Sequence, residues 1–152
     1  LPVLINDPSW IRGDCQSHLR SKGTVGLCAT VKLASGKVPN NPGAVAGAAL
    51  EQGKPQLLDT IQKLIIRIFD DCVSSCGNIP NGPPRVQLIG RLTSSMVDAL
   101  NVSDTWLAKD DNLYALVALD LGTMTKVISS SPDLDAEAKA ALTNRARDAL
   151  RR

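Results

Sequence analysis

Four cysteines and a single histidine are the most reactive side chains in this sequence. Cys15, His18, Cys72 and Cys76 supply on paper the three thiolates and one imidazole of a tetrahedral zinc site. Their spacing argues otherwise. The step from Cys15 to His18 suits a metal, but Cys72 and Cys76 continue an apolar helical stripe, where buried thiols or a disulfide are the simpler reading. A cysteine nucleophile using His18 as base needs an orienting group and an oxyanion site, and no local signature marks either. The paired carboxylates are no better placed for acid-base work. Asp70 and Asp71 diverge by about 100° on a helix, and Asp110 and Asp111 fall in a turn where aspartates stay solvated. The chain is therefore read with no catalytic residue, no cofactor and no metal.

An even set of four cysteines in a small domain suits two disulfides in an oxidising compartment, with four buried thiols as the alternative. Three pairings are combinatorially open. Local pairing, Cys15 with Cys28 and Cys72 with Cys76, is the simplest. An intact helix would hold Cβ atoms four residues apart at roughly 5 to 6 Å, wider than the ~3.8 Å a disulfide prefers. Closing the second pair thus requires the last helical turn to unwind, and Gly77 is a suitable left-handed terminator.

The 152 residues are enough for one domain with one core, and a composition of 43% hydrophobic and 21% charged residues is that of a folded protein. A formal charge of +2 gives no strong field for nucleic acid or an anionic membrane. Four aromatic residues, Trp10, Phe69, Trp106 and Tyr114, are too few for a base-stacking platform. Trp10, Trp106 and Tyr114 form a ligand-binding cluster only if the first strand neighbours the later pair of strands; core packing is the simpler use for so few large side chains. No apolar run approaches the ~20 residues that span a bilayer. The start at Leu1, with neither an initiator methionine nor a leader pattern, is expected of a processed or trimmed product.

These side chains must be held by elements with recognisable periods. Alternation over 24–33 sets Val25, Leu27, Ala29, Val31 and Leu33 on one side of a half-buried strand. Upstream, the residues around Pro8 and Trp10 read as a short extended piece with Trp10 as core anchor. An Ala-rich helix from Gly43 is expected to break near Gly53 and Pro55, so two helical segments are predicted. The second, over 57–76, sets Leu57, Leu58, Ile61, Leu64, Ile65, Ile68, Phe69, Cys72 and Cys76 on the apolar stripe of the dominant core helix. A Pro- and Gly-rich loop at 78–84 follows, then an amphipathic helix over 85–100. Two β-suited runs at 102–107 and 113–119, joined by Asp- and Asn-containing residues, form a hairpin whose second strand is covered on both faces. A last helix begins with Ser131 as N-cap and Pro132 at its first position. Arg145, Arg147, Arg151 and Arg152 gather at its other end, where cations complement the macrodipole.

The expected fold class is α+β: a small, mainly antiparallel sheet packed by amphipathic helices. It forms a single domain over 1–152, with a core in 8–120 and a C-terminal helix at about 132–151.

The ordered features Pro8 and Trp10, Gly26 in a strand, the helix through Phe69, Trp106, and Leu113-Tyr114-Ala115-Leu116 resemble the LPP-twenty-like family of bacterial envelope lipoproteins. That family is related to the N-terminal domain of the flagellar accessory protein FlgT. The resemblance covers residues 8–120; the cysteines, Gly53, Pro55 and the Pro-rich loop depart from the family pattern. It implies an exported domain, anchored to the outer membrane by a lipidated cysteine upstream of Leu1, facing the periplasm or the cell surface. It also implies a non-enzymatic role through association with other envelope proteins in a surface or motility-related assembly. That setting removes Asn101-Val102-Ser103 as a glycosylation acceptor. The alternative function is a small ligand- or metal-binding module with hydrolytic activity. The accessible turns are the expected contact points: Asp110, Asp111 and Asn112 in the hairpin, and Asn81 in the loop at 78–84.

Overall fold

The computed structural model describes residues 7–72 and 76–151; Arg152, of the basic cluster, and the start at Leu1 lie outside them. After a turn of 3-10 helix, Ser9–Arg12, come α1 (Cys15–Ser21), β1 (Gly26–Leu33), α2 (Pro42–Asp70), α3 (Pro83–Asp98), β2 (Asn101–Leu107), β3 (Leu113–Asp120), α4 (Leu121–Ser129) and α5 (Ala136–Leu150). The fold is α+β. The three strands form an antiparallel sheet in the order β1-β3-β2, with Gly26 opposite Asp120 and Leu107 opposite Leu113.

β3 is the central strand, and its near-continuous apolar run explains the position: Ala115 through Leu119 are all buried. One face carries Ala115, Val117 and Leu119 into the main core; the other carries Leu116 and Ala118 into a smaller cluster with Trp10, Cys15 and Leu19. The smaller cluster is roofed by the 3-10 turn and α1. Here the expected extended piece around Trp10 is corrected. Cys15 and Leu19 stand at i and i+4 on α1 and are both buried, so a one-sided apolar pair and a bond to β1 hold a helix too short to form alone.

The expected break near Gly53 and Pro55 is also corrected: α2 runs unbroken for 29 residues, about 43 Å. Pro55 cannot donate to the carbonyl of Glu51, but both residues are exposed, and water can satisfy that oxygen. Gly53 is buried where the helix crosses Val117 of β3. Asn41 begins α2, its side chain accepting from the Ala44 N–H at 2.8 Å. The first half of α2 lies on the sheet. The second half, through Leu57, Ile61, Ile65, Ile68 and Phe69, packs among the other helices. α2 ends at Asp70, so Cys72 and Cys76 lie past the helix, not on its stripe.

Two boundaries near the C-terminus differ from expectation. Residues 121–129 form α4, and α5 starts at Ala136, capped by Asp135, whose side chain accepts from the Ala138 N–H at 2.7 Å, and not by Ser131. Met124, Ile128, Leu134, Leu142 and Ala146 are buried in the main cluster, so the core extends well beyond residue 120.

Candidate functional site: a groove between two helices

A groove of about 600 Å³ lies between α3 and α4. Its walls follow from helical spacing. Leu88, Ile89, Leu92 and Met96 turn the apolar stripe of α3 into the core, which leaves Arg91, Ser95 and Ala99, at i, i+4 and i+8, along one flank. Thr123, Lys126, Val127 and Ser130 form the matching stripe of α4. Asp120 fixes where that stripe begins, its carboxylate accepting from the Thr123 N–H at 2.7 Å. The connector at 131–133 closes one end. The lining thus combines Leu92, Ala99, Val127 and Pro132 with hydroxyls and two cations.

Those cations differ in state. Arg91 donates through Nε and Nη2 to one carboxylate oxygen of Asp133, at 3.2 and 3.0 Å. Lys126 is exposed and has no ion pair among the described residues. Arg91 and Asp133 also line a second cavity of about 420 Å³, floored by Leu88 and walled by Ile79, Pro80 and Pro84. Their ion pair is therefore the partition between two chambers that follow the length of α3. An apolar floor with a few convergent polar groups is the usual make-up of a binding site.

The loop at 78–84 belongs to the second chamber through Asn78, Ile79, Pro80 and Pro84, while Asn81 is exposed and is not part of its lining. The hairpin turn is elsewhere. Asp110 accepts from the backbone N–H and side-chain amide of Asn112 at 3.1 and 2.7 Å, Asp111 takes a positive φ of 65°, and Asn112 Oδ1 accepts from the Ser35 N–H. Ser35 lies just before α2 and Asn81 well after it, so the two candidate turns sit toward opposite ends of the long helix and form no common site.

The cysteines pair locally: Cys15 with Cys28 and Cys72 with Cys76, at Cα separations of 6.1 and 5.2 Å. The thiols considered for zinc or nucleophilic chemistry are thus in disulfides. His18 instead meets Asp104 of β2, Nε2 to Oδ2 at 2.9 Å, and Lys22 reaches the same oxygen at 2.7 Å. Burial pushes the Asp104 carboxyl up, but the hydrogen bonds and charges of Lys22 and His18 outweigh that and hold it below its ordinary value. This cluster ties α1 across the sheet to its far edge strand. The ring of Trp10 lies 6.0 Å from that of His18 and is buried, with Trp106 and Tyr114 half-buried against its cluster. These aromatics are packing residues; Trp106 Nε1 donates to Asp7 Oδ1 at 3.1 Å.

Sequence reasoning missed the groove because α4 was not foreseen. The available signal was Asp120 three residues before Thr123, a capping pattern, followed by Leu121, Met124 and Ile128 at helical spacing. Compared with known proteins, the chain matches no protein-family profile and no curated sequence.

Proposed function

We propose that this domain is a binding module that holds a segment of a partner protein in the groove between α3 and α4. The occupant is an apolar side chain flanked by a carboxylate. The observation that carries this reading is the uncompensated Lys126 beside Val127, Ala99 and Leu92: an apolar floor favours burial, and an unpaired ammonium at its rim favours an acidic neighbour. Ser95 and Ser130 would orient the occupant's backbone.

The resemblance to the LPP-twenty-like lipoproteins favours work at the bacterial cell envelope, in a surface or motility-related assembly, with an upstream lipid anchor and other envelope proteins as partners. The two disulfides agree with an oxidising compartment. Neither reading requires catalysis. A volume near 600 Å³ also suits a small amphipathic ligand, which is the second reading.

Affinity capture of the full-length lipidated protein from intact envelopes tests the proposal, compared with Ser95→Trp, which fills the groove. A defined partner that is lost at least tenfold from the variant, with unchanged thermal unfolding, is the expected result. Equal capture by both proteins contradicts it, and a bound small molecule in native mass spectra supports the second reading instead.

A further inference from the structure

A third cleft, sharing no lining residue with the groove or with the chamber beside it, lies where α1, the entry to β1 and the end of α5 converge. It measures about 200 Å³, and Gln16, Arg20, Thr24, Leu150 and Arg151 face it. We propose that this cleft binds a phosphate oxyanion, through the guanidinium groups of Arg20 and Arg151.

Charge is the first argument. Six ion pairs are present among the described residues, and none uses Arg20 or Arg151. Two cations brought to one cleft without a counter-ion repel each other, and an anion between them converts that repulsion into two attractions. Arg147 adds to the field from one turn earlier, since the Arg151 N–H donates to its carbonyl, and its Nη1 is engaged only by the neutral amide of Asn144 at 2.9 Å. Asp120 lines the adjoining hollow with Thr24 and Val25, and its carboxylate is engaged in capping α4. Asp148 on α5 is exposed and forms no ion pair among the described residues. The negative pole of α5 opposes an anion here, so the arginines must outweigh it.

Shape and chemistry select the ligand. Guanidinium presents a planar fork that matches the oxygens of phosphate, and Gln16 and Thr24 add an amide and a hydroxyl donor. At about 200 Å³ the cleft accommodates a phosphoryl group and not the body of a drug-sized ligand. The phosphate can belong to a free ester or to a phospholipid headgroup; the chemistry is shared.

The test uses the oxidised protein, with amide shifts of Gln16, Arg20, Thr24 and Arg151 followed during titration with inorganic phosphate against chloride at matched ionic strength. Flotation with vesicles of phosphatidylglycerol or phosphatidylcholine runs in parallel. Expected are saturable shifts or phosphatidylglycerol-selective flotation, weakened at least tenfold in Arg20→Gln/Arg151→Gln and unchanged in Lys37→Gln/Lys109→Gln, which removes the same charge elsewhere. Flotation without free-phosphate binding assigns the lipid source, and the reverse assigns a soluble ester. Absence of both responses overturns the proposal, as does equal weakening by the two double variants.

Discussion

Gly53 of α2 lies directly against Val117 of β3: a Cβ on the glycine would come within 3.0 to 3.1 Å of three carbons of the valine side chain. The long helix can approach the central strand this closely because the position lacks a side chain. Gly53→Ala gains about 1 kcal/mol of helix propensity but crowds a fully buried, β-branched neighbour, which costs about 1 to 3 kcal/mol. The variant is expected to be less stable by about 1 kcal/mol, a fall of roughly 3 °C in Tm for a chain of this size. Thermal unfolding checks it, and in a Val117→Ala background the same substitution is expected to lose its penalty.

The same contact shows what was legible in the sequence. The sheet was readable because β1 alternates and β3 is nearly all apolar, patterns that report burial directly. The unbroken α2 was not readable, because Gly53 and Pro55 are breakers by local propensity and only the contact with Val117 and the solvent-facing side of Pro55 reverse that. α1 was hidden for a similar reason: its seven residues are fixed by Cys28 and by Asp104, 86 positions from His18. The groove depends on α3 and α4 meeting side by side, and no local pattern encodes that meeting.

The cap of α5 distinguishes the observed boundary from the expected one. Asp135 accepts from the Ala138 N–H and from the Asn78 N–H, so it also fixes the turn at Gly77. Asp135→Ala is expected to cost about 1 to 2 kcal/mol, and Ser131→Ala less than that, because Ser131, although buried, has a side chain that caps no helix N–H among the described residues. Urea unfolding of the two variants decides which residue starts the helix.

The two disulfides close loops of different length, with sequence separations of 13 and 4. Chain entropy assigns roughly 3 kcal/mol to the longer loop and roughly 2 kcal/mol to the shorter. The longer one also pins α1 over Trp10. Cys15→Ser/Cys28→Ser is therefore expected to be the more destabilised pair, and to raise the accessibility of Trp10 to fluorescence quenchers. Denaturant midpoints and acrylamide quenching measure both effects.

Asp104 makes one region of the fold sensitive to acid. Its folded-state pKa is held below the ordinary 3.8, so its contribution is present above the unfolded value and is lost as pH falls through the folded one. Urea midpoints measured from about pH 6 down to about pH 2 are expected to fall less steeply in Asp104→Asn than in the parent. Identical slopes would show that the meeting of His18, Lys22 and Asp104 contributes nothing to stability.

Site-specific photocrosslinking in the cells that make the protein examines the groove most directly. A photoreactive residue placed at exposed Ser94 of α3 or exposed Ser129 of α4, each next to a serine that lines the groove, is predicted to yield one discrete protein adduct, and the same residue at exposed Gln62 of α2 none. Combining the Ser129 probe with Val127→Glu is predicted to abolish the adduct while thermal unfolding stays within about 3 °C of the parent. Positions beside the groove that give no adduct, or the same adducts as Gln62, would contradict the account.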